Sequence, residues 1–129
     1  MKIAVLIARI LLGLVFFVFG LNDFFHFMPN PPIPGDAGVL ANIMFAHGWF
    51  TFHGILYTIA GILLIIGRYV PVGLVILGPI LVNVLLFHLT LTGGVGVGPG
   101  VVCALLEIFL IWAYWPAFES IFSDDHRAW

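Results

Sequence analysis

Apolar residues in this chain come in long blocks rather than alternating with polar ones. The first block runs from Ile3 to Leu21, is interrupted by Arg9, and closes at Asn22-Asp23. A second begins near Phe50 and stops at Gly67-Arg68; a third opens on Val70-Pro71 and fades near Leu91; a fourth starts at Val101 and extends through Pro116. A membrane-crossing helix needs about 20 predominantly apolar residues. The blocks at 3–21, 50–66, 70–91 and 101–118 therefore predict four transmembrane helices. Pro71 suits the first turn of the third helix, whereas Pro79 inside it predicts a kink. The first block is too long for a signal peptide, carries Arg9 within it and shows no small-x-small cleavage site, so it reads as a retained span.

The intervening segments have their own patterns. Between Met28 and Asp36 four prolines rule out a continuous helix. From Ala37 to Phe45, Val39, Leu40, Ile43 and Met44 fall at helical spacing over a length too short to span. That predicts a short helix in the interface or tucked against the bundle. Residues 92–100 are glycine-rich and predict a flexible turn; a phosphate-binding loop would need a Lys-Ser/Thr after the glycines and a strand before them, and neither is present. The expected fold is all-α: one integral membrane domain over 1–129, a four-helix bundle with a short extra interfacial helix in the first outer loop.

Composition removes the other classes. Of the 129 residues 63% are apolar and 8% charged, against about 25% charged in an average soluble domain. Ten charges cannot furnish a soluble surface, and such hydrophobicity excludes disorder. A net charge of -2 without a basic patch argues against nucleic acid as a partner. The single cysteine, Cys103, excludes a disulfide scaffold and a membrane thiol–disulfide enzyme, which needs a pair. No Ser-His-Asp set or paired carboxylate motif stands at a membrane face, so a hydrolase is disfavoured. Catalytic residues are not identified, and whether the chain is an enzyme stays open.

Charge placement predicts orientation. With the N-terminus in the cytoplasm, Lys2, Arg68 and Arg127 share the inner side, and the outer loops carry no Lys or Arg. Both termini are then cytoplasmic, and Trp49, Trp112 and Trp115 sit near span ends as an aromatic belt. Eight of the ten charged residues, Asp23 among them, lie at span ends or beyond; Arg9 and Glu107 lie inside. Small residues at helical spacing, Gly13 and Gly20 on the first span and Gly54, Thr58 and Gly61 on the second, predict packing faces.

A charge at the bilayer centre costs at least about 2.5 kcal/mol, so such residues face the interior and pair. Arg9 and Glu107 lie at depths that differ by roughly 10 Å; their side chains narrow that gap through a water or Asn83. The competing arrangement has Arg9 snorkelling to the inner interface and Glu107 protonated. Topology brings His26, His47, His53 and His88 to the outer half. His53 and Tyr57, four apart, share a face. Arg9, Asn83, His88 and Glu107 thus form a candidate interior polar site with His53 and Tyr57 at its mouth. Three readings compete: interfacial histidines over a satisfied polar core, a quinone or similar ring ligand held through its carbonyls, and a metal or haem site. No His-x-x-x-His or Cys-x-x-Cys spacing supports the last, so no metal ligand is assigned and no intrinsic cofactor is expected.

Ala8-Arg9-Ile10-Leu11-Leu12-Gly13-Leu14-Val15-Phe16 with Phe19-Gly20-Leu21-Asn22 resembles the start of DoxX-family membrane proteins. Gly67-Arg68-Tyr69-Val70-Pro71, then Gly78-Pro79 and Asn83 through to His88, resembles the family's second and third spans, and Glu107 with Trp112-Ala113-Tyr114 its last. The resemblance implies a four-helix protein of the bacterial inner membrane. Family members are linked to oxidoreductase complexes, among them a quinone-reducing, sulfur-oxidising one and an oxidative-stress assembly. Many relatives carry a Lys and a Glu in the second span; here His53 to Gly61 has neither. The expected function is an accessory subunit of a membrane redox complex near the quinone pool. The alternatives are a structural or assembly subunit without chemistry of its own, and a small transporter. The expected partners are the lipid bilayer, other membrane proteins or further copies of the chain.

Overall fold

The fold was obtained as a computed structural model, which describes residues 2–25, 34–94 and 97–122. Six helices follow in order: α1 (Lys2–Phe25), α2 (Gly35–Ala46), α3 (Trp49–Ile66), α4 (Val70–Thr90), α5 (Gly98–Ala113) and α6 (Trp115–Glu119), the last continued by a 3-10 turn at Ser120–Phe122. Helices α1, α3 and α4 are long and apolar enough to cross a membrane, and α5 is a shorter apolar helix. No strand occurs among the described residues. The chain is an all-α membrane bundle.

The four apolar helices close a ring: α1 packs on α3, α3 on α4, α4 on α5 and α5 back on α1, with α1–α3 the most extensive contact. The core is a column of leucines, Leu12, Leu64, Leu74, Leu77 and Leu110, sealed from solvent. The outward faces are as apolar as the core, with Ile59, Val82, Leu105 and Ile108 all exposed. Water does not stabilise such a surface, but lipid does.

Glycine sets the α1–α3 distance. A methyl group on Gly61 would come within 2.7 Å of the Gly13 carbonyl oxygen and of the Phe17 nitrogen; one on Gly20 would meet Thr58 and the Gly54 carbonyl oxygen at 2.5–2.9 Å. Gly13 faces Gly61 and Gly20 faces Gly54, so the helices run antiparallel with their backbones in contact. The predicted packing stripes are thus real.

Several boundaries move. Helix α1 continues past Asn22-Asp23 to Phe25, because Asn22 is buried and the Asp23 side chain packs over Gly54. Asp23 is therefore part of the α1–α3 contact rather than a charge beyond the span. Helix α5 starts at Gly98, with Pro99 in its first turn, so the glycine-rich turn is shorter than expected. The fourth apolar block breaks at Tyr114, since Pro116 has no N–H to offer the preceding turn; Ala117 N–H donates instead to the Tyr114 carbonyl at 3.0 Å. Helix α4 is continuous across Pro79, which leaves the Val75 carbonyl without its helical donor. The short extra helix is present as α2, packed on α3 through its small side, Ala37 and Gly38, with Val39, Leu40 and Ile43 exposed. The prolines from Pro29 to Pro32, His26 and the tail from Asp124 to Trp129 lie outside the described residues.

Candidate functional site

The six residues expected to gather in one pocket occupy five places. His53 and Tyr57 are together. Near the head of α3 their rings stack, centroids 6.1 Å apart and planes 20° from parallel. Phe52 also stacks on His53 at 6.2 Å, and the Phe16 ring meets Tyr57 edge-on at 5.1 Å. The i, i+4 spacing on a helix produces this overlap. Both side chains are part-buried, so this aromatic shelf keeps some exposed surface.

The sequence pattern does not single out Asp23 as a site residue, yet it stands beside this shelf, its carboxylate over Gly54, one residue from His53. Its neighbour Asn22 is buried, 8% exposed. The signal is a polar pair two and three residues after Gly20, one of the contact glycines. A glycine contact holds the backbones so close that the next polar residues along the helix are enclosed as well.

Arg9 does not reach Glu107. Its guanidinium lies over Gly67, so that a methyl group there would meet Nη1, Cζ and Nη2 at 2.9–3.1 Å. Gly67 caps the C-terminus of α3 in the left-handed conformation (φ 74°), donating its N–H to the Leu63 carbonyl at 3.1 Å. The last carbonyls of a helix carry its negative end, and a cation there stabilises it by about 0.3–1 kcal/mol, up to about 2 when partly buried. Arg9 thus lies against the end of α3, its Nε without a hydrogen-bond partner, and with Lys2, Val5 and Leu6 it lines an open groove of about 440 Å³ along α1.

Glu107 is 4% exposed and faces α4 at Gly78, where the absence of a side chain leaves room for it. Neither carboxyl oxygen has a hydrogen-bond partner. A direct ion pair with Arg9 is therefore not made. His88 is turned back on its own helix, with Nδ1 2.8 Å from the Val84 carbonyl oxygen and the ring edge-on to Phe87. By the alignment of Gly78 with Glu107, His88 lies ten residues and about 15 Å further along α4. Asn83 is exposed on the outer surface of α4 and takes no part in an interior site. The sequence reading placed it inward from its depth alone, and depth does not say which way a helical residue points. Among the described residues no group of three or more His, Cys, Asp or Glu is arranged to hold a metal ion.

No curated protein and no solved structure matches the chain at a significant level. A family model described as DoxX matches residues 4–90, about two thirds of the sequence. The match takes in α1, α3 and α4, and with them the glycine contact, the His53–Tyr57 shelf, the Gly67 cap beneath Arg9 and the Asn83 face. Those elements form one antiparallel, apolar, all-α unit, and on this match the chain belongs to the DoxX family.

Proposed function

We propose that this small multi-pass membrane protein is an accessory subunit of a membrane redox complex beside the quinone pool. The observation that carries this reading is the His53–Tyr57 stack, set beside Asp23 at the head of α3. A quinone headgroup is a flat ring with two carbonyls. Aromatic rings take such a ring by stacking, while an imidazole N–H and a phenol O–H are donors for its carbonyls. The isoprenoid tail lies along the exposed apolar helix faces. Electrons enter and leave through a partner protein. By the positive-inside bias of Lys2 and Arg68, the N-terminus faces the cytoplasm of a bacterial inner membrane and the shelf faces outward.

A second reading, an assembly subunit without chemistry, is favoured by the scatter of polar residues. Glu107, Arg9, His88 and Asn83 stand apart rather than around one ligand. One preparation separates the two. The protein is purified in mild detergent with its partners, and bound quinone is measured by mass spectrometry in the parent, in His53→Ala with Tyr57→Phe, and in His88→Ala. On the quinone reading the parent carries quinone, the shelf variant loses at least about fivefold, and His88→Ala retains it. A folded, quinone-free complex with a stoichiometric partner overturns that reading in favour of assembly.

A further inference from the structure

Asn83 stands on the membrane-facing surface of a helix that is otherwise apolar there. Helix α4 spans 21 residues, about 31 Å, and Asn83 lies about 10 Å in from its Thr90 end and about 20 Å from its Val70 end. A short amide side chain at that depth cannot reach the headgroups. Its polar neighbours on α4 are satisfied within the helix: the Thr90 hydroxyl donates to the Leu86 carbonyl at 2.6 Å, and His88 bonds to Val84. No such bond serves the Asn83 amide among the described residues. Along the middle of the neighbouring spans the exposed residues, Ile55, Ile59 and Ile62 on α3 and Leu105 and Ile108 on α5, are apolar, and lipid covers them adequately. Asn83 asks for a hydrogen-bonding partner that lipid tails do not supply.

We infer that this face of α4 binds a second copy of the same chain, through a symmetric contact centred on Asn83. An amide side chain both donates and accepts, so two of them satisfy each other without any other group. In a membrane, copies of one topology are related by a two-fold axis along the membrane normal, so α4 packs parallel to its copy and Asn83 meets the partner's Asn83. The surroundings fit a helix-to-helix seam. Pro79, Asn83, Leu86 and Thr90 are exposed at alternating steps of four and three residues, the spacing of a left-handed helix pair. Toward the start of α4 the seam opens into an apolar groove of about 260 Å³, where Val72 and Val75 face Ala117 and Ile121. The same valines that line the groove of one copy stand out as knobs for the groove of the other, so the surface is complementary to itself.

Cross-linking in native membranes tests this. Cys103 is first replaced by Ala, then single cysteines are introduced as Asn83→Cys on the seam and Leu105→Cys on the outer face of α5. On oxidation Asn83→Cys gives a disulfide-linked product of twice the chain mass, and Leu105→Cys stays monomeric. In mild detergent the parent sediments as a dimer; Asn83→Leu, apolar on an apolar face, remains folded by circular dichroism and weakens the dimer at least about tenfold, while Asn83→Gln weakens it less. Absence of the Asn83→Cys dimer, equal cross-linking at position 105, an adduct with a protein of different mass, or a parent that is monomeric in mild detergent each overturns the inference.

Discussion

Alanine at Gly61 tests the close approach of α1 and α3. The new methyl group would lie 2.7 Å from the Gly13 carbonyl oxygen and from the Phe17 nitrogen, where an ordinary contact begins at 3.4 Å. Both obstructing atoms are backbone, so no rotamer change relieves the overlap. The helices must part by about 0.7 Å, the difference between those distances. A gap of that size forfeits a quarter to a half of each contact of about 0.1–0.2 kcal/mol. Over some 50 atom pairs, about the number one buried leucine makes, the loss is about 2–3 kcal/mol, at the upper end of the range for overpacked cores. Gly98→Ala is the control, since nothing lies within 4 Å of a methyl group there. Thermal unfolding in detergent, followed by intrinsic fluorescence, should give Gly98→Ala the parent's midpoint and lower that of Gly61→Ala by several degrees. Equal midpoints for the two would show that the helices do not meet along Gly13 and Gly61.

Arg9 and Glu107 should behave as independent sites: the double variant Arg9→Ala, Glu107→Ala should show additivity within about 0.5 kcal/mol in unfolding free energy, whereas coupling above about 1.5 kcal/mol would restore the ion pair. Glu107→Leu should leave stability unchanged or raise it, because the buried carboxyl has no partner to lose; a marked loss measured by the same unfolding assay would contradict the isolation of that carboxyl. Gly67→Ala should cost about 1 kcal/mol for the left-handed conformation, and more because the methyl group meets the Arg9 guanidinium. In an Arg9→Ala background the excess should vanish, and an undiminished cost there would place Arg9 elsewhere.

Much of the architecture follows from one-dimensional pattern, because lipid imposes it. A chain with ten charges and four apolar blocks must satisfy its backbone internally, and helices do so within each block. The glycine and threonine spacing on α1 and α3 already marks their shared face, since small residues at helical intervals permit close backbone approach. Residues four apart on one helix are also legible, which is why the sequence pairs His53 with Tyr57. Relations between helices are another matter. Arg9 and Glu107 are both intramembrane charges, and pairing them is the economical expectation. The antiparallel register of α1 on α3 instead carries Arg9 to Gly67, while that of α4 on α5 sets Glu107 against Gly78.

Sequence alone determined that the chain is an all-α membrane protein and which glycines bring two of its helices together. These are properties of single segments in a solvent that cannot hydrogen-bond, so local composition suffices. Only the tertiary structure decided that Asp23 belongs beside His53, that Arg9 lies against the end of α3, and that Asn83 faces outward. Each depends on the rotation and register of one helix against another. Those are set by many weak packing contacts acting together, and a linear pattern of apolar and polar positions leaves them open.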